Sequence, residues 1–240
     1  MRSYCFTDLG RLGWADAFEI QQQLVARRKA GEIPDQLLVV EHPHVVTLGR
    51  NGREENLLAG PELLARAGIT FHRTDRGGDV TYHGPGQVVG YPILDLKEWK
   101  RDVGAYVRGI EQMIIDTLAD FGVPSCRIAG MTGVWTGAGE APAGETPAKI
   151  AAIGVHLSRW VTSHGFALNV TTDLDYFRYI VPCGLSKPVT SLRAQGIQAG
   201  RAQVIARLRD HFEKIFDYHA ASQNPGMPLH EAAPQSIGRA

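Results

Sequence analysis

Residues 149–170 read KIAAIGVHLSRWVTSHGFALNV. Two apolar stretches, 150–157 and 165–170, are joined by a polar break too short to hold a crossover helix. Strands joined this way run antiparallel. The same rhythm recurs along the chain, with strand signals at 37–41, 45–48, 69–73, 87–94 and 134–135, several of them one short turn apart. Cys5 sits in a further candidate strand at the start. Helical periods are fewer. Trp14, Ala17, Phe18, Leu24 and Val25 share one face of a helix over 14–29, stopped at Gly31. Val103, Val107, Ile110, Ile114, Leu118 and Phe121 share another, with Asp102 as N-cap and Gly122 as stop, and Val204, Ile205, Leu208, Phe212, Ile215 and Phe216 a third. The pattern predicts an α+β fold: a mixed, largely antiparallel sheet flanked by helices. No G-x-G-x-x-G opens a helix after the first strand, so a dinucleotide fold has no support.

The chain has 240 residues, which favours one large domain over two small ones. The expected layout is a single domain over 1–220, a surface loop at 136–147 (TGAGEAPAGETP), and an unstructured tail at 221–240. Lys plus Arg number 25 and Asp plus Glu 25, so the net charge is zero, which argues against general nucleic-acid binding. The three cysteines are widely spaced and form no C-x-x-C, which fits a reducing compartment. No apolar run approaches the roughly 20 residues of a membrane span, and the first residues lack a signal-peptide core. The expectation is a cytoplasmic protein.

Three segments carry candidate chemistry. Residues 76–87, RGGDVTYHGPGQ, hold four glycines and one proline among Arg, Asp, Thr, Tyr and His. Glycines let a backbone approach a ligand closely and leave N–H groups free to donate. The same composition fits a hairpin turn between strands. Lys149 opens a strand rich in small residues, where Ala151, Ala152 and Gly154 leave room for an apolar chain. A lysine there also suits a solvated edge. Residues 180–185, IVPCGL, place Cys183 on a turn. Most free cysteines are inert, but a turn cysteine beside a cation becomes a nucleophilic thiolate. His42 and His44 lack a third ligand at metal-binding spacing, so no metal site is expected.

RGGDVTYHGPGQ, KIAAIGV, SHGFALNV and PCGL, in this order, together with EHPHVVTLGR at 41–50 and GVW at 133–135, resemble the octanoyltransferases of lipoate biosynthesis over about residues 37–193. The resemblance implies a biotin/lipoate protein ligase-like fold. It implies transfer of an octanoyl group from octanoyl-acyl carrier protein to a lysine of lipoyl domains, in 2-oxoacid dehydrogenase complexes and the glycine-cleavage H protein. It assigns Cys183 as the nucleophile that carries the acyl thioester and Lys149 as the group that lowers its pKa and moves protons. Substrate contacts fall on Arg76, Gly77, Gly78, Asp79, Val80, Thr81, Tyr82 and His83, on Ala152, Ile153 and Gly154, and on Gly165, Phe166 and Ala167. No cofactor or metal is implied, and no nucleic-acid or membrane partner. His83 and His164 are candidate proton-transfer helpers. The 136–147 loop and the tail are longer than the family usually carries. A thioester donor and an amine acceptor suit a soft thiolate nucleophile. Two other readings remain: an ATP-dependent lipoate or octanoate ligase on the same fold, which needs no cysteine, and a non-catalytic paralogue that binds acylated or lipoylated proteins.

Overall fold

The computed structural model describes residues 2–137, 146–181 and 187–221. Its elements are β1 (Arg2–Arg11), α1 (Trp14–Lys29), β2 (Asp35–Glu41), β3 (Val45–Leu48), α2 (Pro61–Arg66), β4 (Thr70–Arg73), β5 (Val80–His83) and β6 (Gln87–Ile93). There follow α3 (Val103–Asp120), β7 (Ser125–Ile128), β8 (Met131–Thr136), β9 (Ala148–Ser158), β10 (Val161–Asn169), α4 (Arg201–Phe216) and β11 (Tyr218–Ala220). The main sheet has eight strands in the order β11-β1-β2-β6-β10-β9-β8-β7. Its β11–β1 and β1–β2 pairs are parallel and the rest antiparallel, so the sheet is mixed and largely antiparallel as expected. A second sheet of three strands, β4-β3-β5, stands apart from it.

The central strands are buried on both faces, and the residue alternation shows which helix covers which face. Leu37 and Val39 of β2 join the core under α3 and α4, while Leu38 and Val40 join the core under α1. Val88 and Val89 divide in the same way on β6, as do Leu168 and Ala167 on β10. The Asp102 carboxylate accepts the Ala105 N–H at 2.9 Å and caps α3, as its position in the sequence implied.

The second sheet was not foreseen. Residues 76–87 are not a hairpin between neighbouring strands, because the segments before and after them lie in different sheets. Inside them Val80–His83 forms β5, which pairs antiparallel with β3. Val80 and Tyr82 enter a separate small core with Val46, Leu48 and Leu64 of the short helix α2. The flanking glycines masked this short alternation. β7, β11 and α2 are also too short for a periodic signal. The expected 136–147 loop begins on the last residue of β8, and its residues 138–145 lie outside the described residues, as do 222–240 of the expected tail.

A buried polar cluster closes the α1 end of the main sheet. Arg28 Nε donates to Asp35 Oδ1 at 2.6 Å, and Arg28 also pairs with Glu98 at 2.9 Å. Asp35 further accepts the Asp95 N–H at 2.8 Å and the Tyr218 hydroxyl, tying α1, β2, the end of β6 and β11 together. Replacing Arg28 by Met leaves a buried carboxylate without its counter-charge. The expected loss is about 3–5 kcal/mol of stability, read by urea unfolding. A change under 1 kcal/mol, an order-of-magnitude threshold for a surface pair, would show that the cluster contributes little.

Candidate active site

The site grows from the pairing of two strands. Ala152 of β9 faces Ala167 of β10, and Gly154 faces Gly165. With so little side chain across four paired positions, the sheet surface is a trough there. It floors a narrow cleft. Val89 and Tyr91 extend the floor, Trp14 of α1 forms one wall, and Lys149 and His164 also line it. The opposite wall comes from β5 of the second sheet (Val80, Thr81 and His83) and the turn before it (Arg76, Gly78 and Asp79).

The two sheets meet at a backbone contact. The Gly77 N–H donates to the Val155 carbonyl at 2.9 Å. A Cβ on Gly154 would lie 2.9 Å from the Gly77 carbonyl oxygen and 3.1 Å from Arg76 Cδ, so glycine is required for this close approach. Arg76 fixes the same turn to β3: Nη2 donates to the Thr47 carbonyl at 2.8 Å and hydroxyl at 2.9 Å, and Nη1 to the Gly77 carbonyl at 3.1 Å.

His83 is held by a chain of amides. Asn169 Nδ2 donates to the Thr190 carbonyl at 2.9 Å, so its Oδ1 accepts from Gln87 Nε2, also at 2.9 Å. Gln87 Oε1 therefore faces His83 Nδ1 at 2.8 Å as an acceptor. Nδ1 carries the proton, and Nε2 is left as an acceptor. Burial holds the imidazole neutral, with its pKa pushed down to about 3.

Lys149 is anchored through its backbone. Its N–H donates to the Pro188 carbonyl at 2.9 Å, and its carbonyl accepts the Thr190 N–H at 2.9 Å. Its buried side chain carries the ammonium to 4.7 Å from the centre of the Trp135 ring. It is not the solvated edge residue that a strand-start lysine often is. Cys183 lies outside the described residues. Before it, the Val181 N–H donates to the Asn56 carbonyl at 2.8 Å, and the Asn56 amide binds Asp79 of the cleft. After it, the Pro188 carbonyl accepts the Lys149 N–H.

Most of the residues singled out in the sequence meet at this cleft. Gly77 and Tyr82 do not line it. Gly77 makes the inter-sheet bond, and Tyr82 turns into the small core, where its hydroxyl meets His44 Nδ1 at 2.8 Å. His42 points away from His44, with Nε2 at 2.7 Å from the Tyr91 hydroxyl, so the two imidazoles do not converge. Cys5 is buried in β1 and Cys126 half-buried in β7. Trp14, Val89 and Tyr91 were missed as site residues. Their apolar periods mark burial, and nothing local distinguishes burial against a helix from burial against a cleft.

Residues 14–213 match the family model of the lipoyl protein ligase A/B catalytic domain. An octanoyltransferase of Solibacter usitatus is 64% identical over 91% of this chain and 95% of its own. The chain belongs to the octanoyltransferase family. A second member, the octanoyltransferase of Acidobacterium capsulatum, is 50% identical over 94% of this chain and 95% of its own. The fold is shared more widely. A bipartite lipoate protein ligase of Thermoplasma acidophilum, solved in a study of that ligase and its E2 lipoyl domain, superposes with a TM-score of 0.73 at 15% identity, covering 93% of this chain and 87% of that one. No helix among the described residues is long and apolar enough to cross a membrane.

The buried imidazoles make stability depend on pH. Desolvation pushes His42 down to about 4 and His83 to about 3, from an ordinary 6.5. Below pH 6.5 the unfolded chain binds these protons and the folded chain does not, so stability falls as pH drops from 6.5 toward 3. Asp75, held down to about 2 mainly by its hydrogen bond to His164, adds a loss as pH falls from 3.8 toward 2. The urea midpoint should therefore decline steadily below neutrality. The decline should be shallower in His83→Gln, by up to about 1.4 kcal/mol per pH unit. Equal slopes in both proteins would show that His83 takes up a proton in the folded state.

Proposed function

We propose that the protein moves an octanoyl group from octanoyl-acyl carrier protein to a specific lysine of lipoyl domains, through a thioester on Cys183. The acceptors in this reading are the lipoyl domains of 2-oxoacid dehydrogenase complexes and the glycine-cleavage H protein. The observation that carries it is the placing of Lys149 in a cleft floored by small residues, with Val181 tied through Asn56 to Asp79 of that cleft and Pro188 bonded to Lys149 itself.

In this reading the octanoyl chain lies over Ala152, Gly154, Gly165 and Ala167, with Ile153 and Phe166 completing the cleft. The turn of Arg76, Gly77, Gly78 and Asp79 and the strand of Val80, Thr81, Tyr82 and His83 form or support the facing wall. The Lys149 ammonium stabilises the Cys183 thiolate by proximity of opposite charge. The thiolate attacks the donor thioester carbon. A new C–S bond forms, the old one breaks, and Lys149 protonates the departing pantetheine sulfur. Neutral Lys149 then takes a proton from the acceptor lysine, whose nitrogen attacks the acyl-enzyme. The C–N bond forms, the C–S bond to Cys183 breaks, and the thiolate returns. His83 supports this division of labour. Its Nε2 can accept a hydrogen bond, yet its low basicity keeps it from taking the proton Lys149 handles.

Intact-mass analysis after incubation with octanoyl-acyl carrier protein alone should show one octanoyl adduct, mapping to Cys183. Addition of a lipoyl domain should discharge it onto that domain without ATP or a divalent metal. An adduct at Cys5 or Cys126, or turnover in Cys183→Ala, would overturn the assignment, and a strict need for ATP would move the protein to the ligase reading.

Lys149→Ala should lower kcat roughly 10²–10⁴-fold. Lys149→Arg keeps the charge but not the exchangeable proton. It should therefore preserve the low-pH alkylation of Cys183 by iodoacetamide while transfer is lost. An alkylation profile unchanged in Lys149→Ala would mean the two side chains do not meet.

A further inference from the structure

His164 stands in the middle of β10 with φ 55°, a left-handed conformation strained for any residue with a Cβ. Three groups on different elements hold it there. Gln21 Oε1 of α1 accepts its backbone N–H at 3.0 Å. Asp75 Oδ1 meets its Nε2 at 2.7 Å. Phe18 stacks on its ring at 5.4 Å between centroids. The residue is 2% exposed and lines the cleft at the end away from Lys149. Phe18, Gln21 and Asp75 also line a second, wider groove between α1 and the β9–β10 turn. His164 is thus the partition between the cleft and this groove, braced from the groove side.

The length of the cleft between Lys149 and His164 can be gauged from the strands. The Lys149 side chain folds back over Gly133, its Cε 3.4 Å from where a Cβ would stand there, and the adjoining Val134 pairs with Ala151. The ammonium therefore lies near the level of Ala151. His164 pairs with Val155. From Ala151 to Val155 is about 13 Å at the rise of a strand. An extended eight-carbon acyl group spans about 9 Å from carbonyl to methyl, given C–C bonds of about 1.5 Å. The remaining ~4 Å is a single van der Waals contact, that of the terminal methyl with the His164 ring when the carbonyl lies level with the ammonium.

We propose that His164 is a specificity-determining residue: its ring, pinned by Asp75, Gln21 and Phe18, stops the acyl chain at eight carbons and denies longer chains the groove behind it. The proposal rests on the octanoyl reading of the cleft. It predicts that removing the ring joins the two spaces. Glycine suits a left-handed position, so His164→Gly should fold, and His164→Asn, also tolerated there, should open the partition less.

The experiment measures kcat/KM for octanoyl- and dodecanoyl-acyl carrier protein, and calorimetric dissociation constants for sodium octanoate and the longer even-numbered acids through dodecanoate. In the wild type, affinity should stop rising with length after octanoate. In His164→Gly it should keep rising, by about fourfold per methylene admitted. The dodecanoyl-to-octanoyl ratio should increase at least tenfold, with His164→Asn between. A wild-type affinity that climbs steadily to dodecanoate overturns the proposal. So does a ratio within twofold of wild type in both variants. Wild-type protein that binds octanoate with the break at eight carbons but transfers nothing to a lipoyl domain would refute the functional reading and leave the partition standing.

Discussion

The site depends on one backbone contact between two sheets. The Gly77 N–H reaches the Val155 carbonyl, and the Gly77 carbonyl rests where a side chain on Gly154 would be. A side chain at Gly154 would push the 76–78 turn off the β9–β10 surface, and with it Asp79, Thr81 and His83. The cleft is thus the gap left when a small sheet docks on a patch of small residues in a large one. Arg76, whose guanidinium binds Thr47, makes the docking turn rigid on its own side.

Two kinds of polar group surround that gap, and they do different things. The Asn169–Gln87–His83 chain of hydrogen bonds dictates which nitrogen of His83 carries a proton, because each amide has its orientation set by the next. The Asp75–His164 pair holds a ring in a backbone conformation it would not choose. In the first case desolvation keeps an imidazole neutral as an acceptor; in the second a carboxylate and a strained strand fix a wall. Both cost stability in acid, since unfolding releases imidazoles that take up protons readily.

The main sheet supplies the stiffness that such placements need. With β2, β6 and β10 buried on both faces, neither face can relax independently of the other. Glycines recur where strands must accept something unusual. Gly90 makes space for the Phe166 ring, and Gly165 for the Gly90 carbonyl across the ladder.

Periodicity in the sequence determined the long helices and the largely antiparallel sheet, and the resemblance carried by its ordered motifs pointed to most of the residues that meet at the cleft. α1 and α3 begin at the expected residues, because a repeating apolar face and a cap are local properties. The motifs at 76–83, 149–154 and 165–167 each fit an ordinary turn or strand edge when read alone, and became specific only through their order along the chain, as a family resemblance. Only the tertiary structure decided that β5 belongs to a second sheet, that Tyr82 turns away from the cleft while Thr81 and His83 turn toward it, and that Trp14, Val89 and Tyr91 help to wall it. It also decided that His164 faces α1, through a positive φ that no alternation rule contains. Each of these depends on which surface lies opposite a residue, and that is a property of packing between segments far apart in the chain.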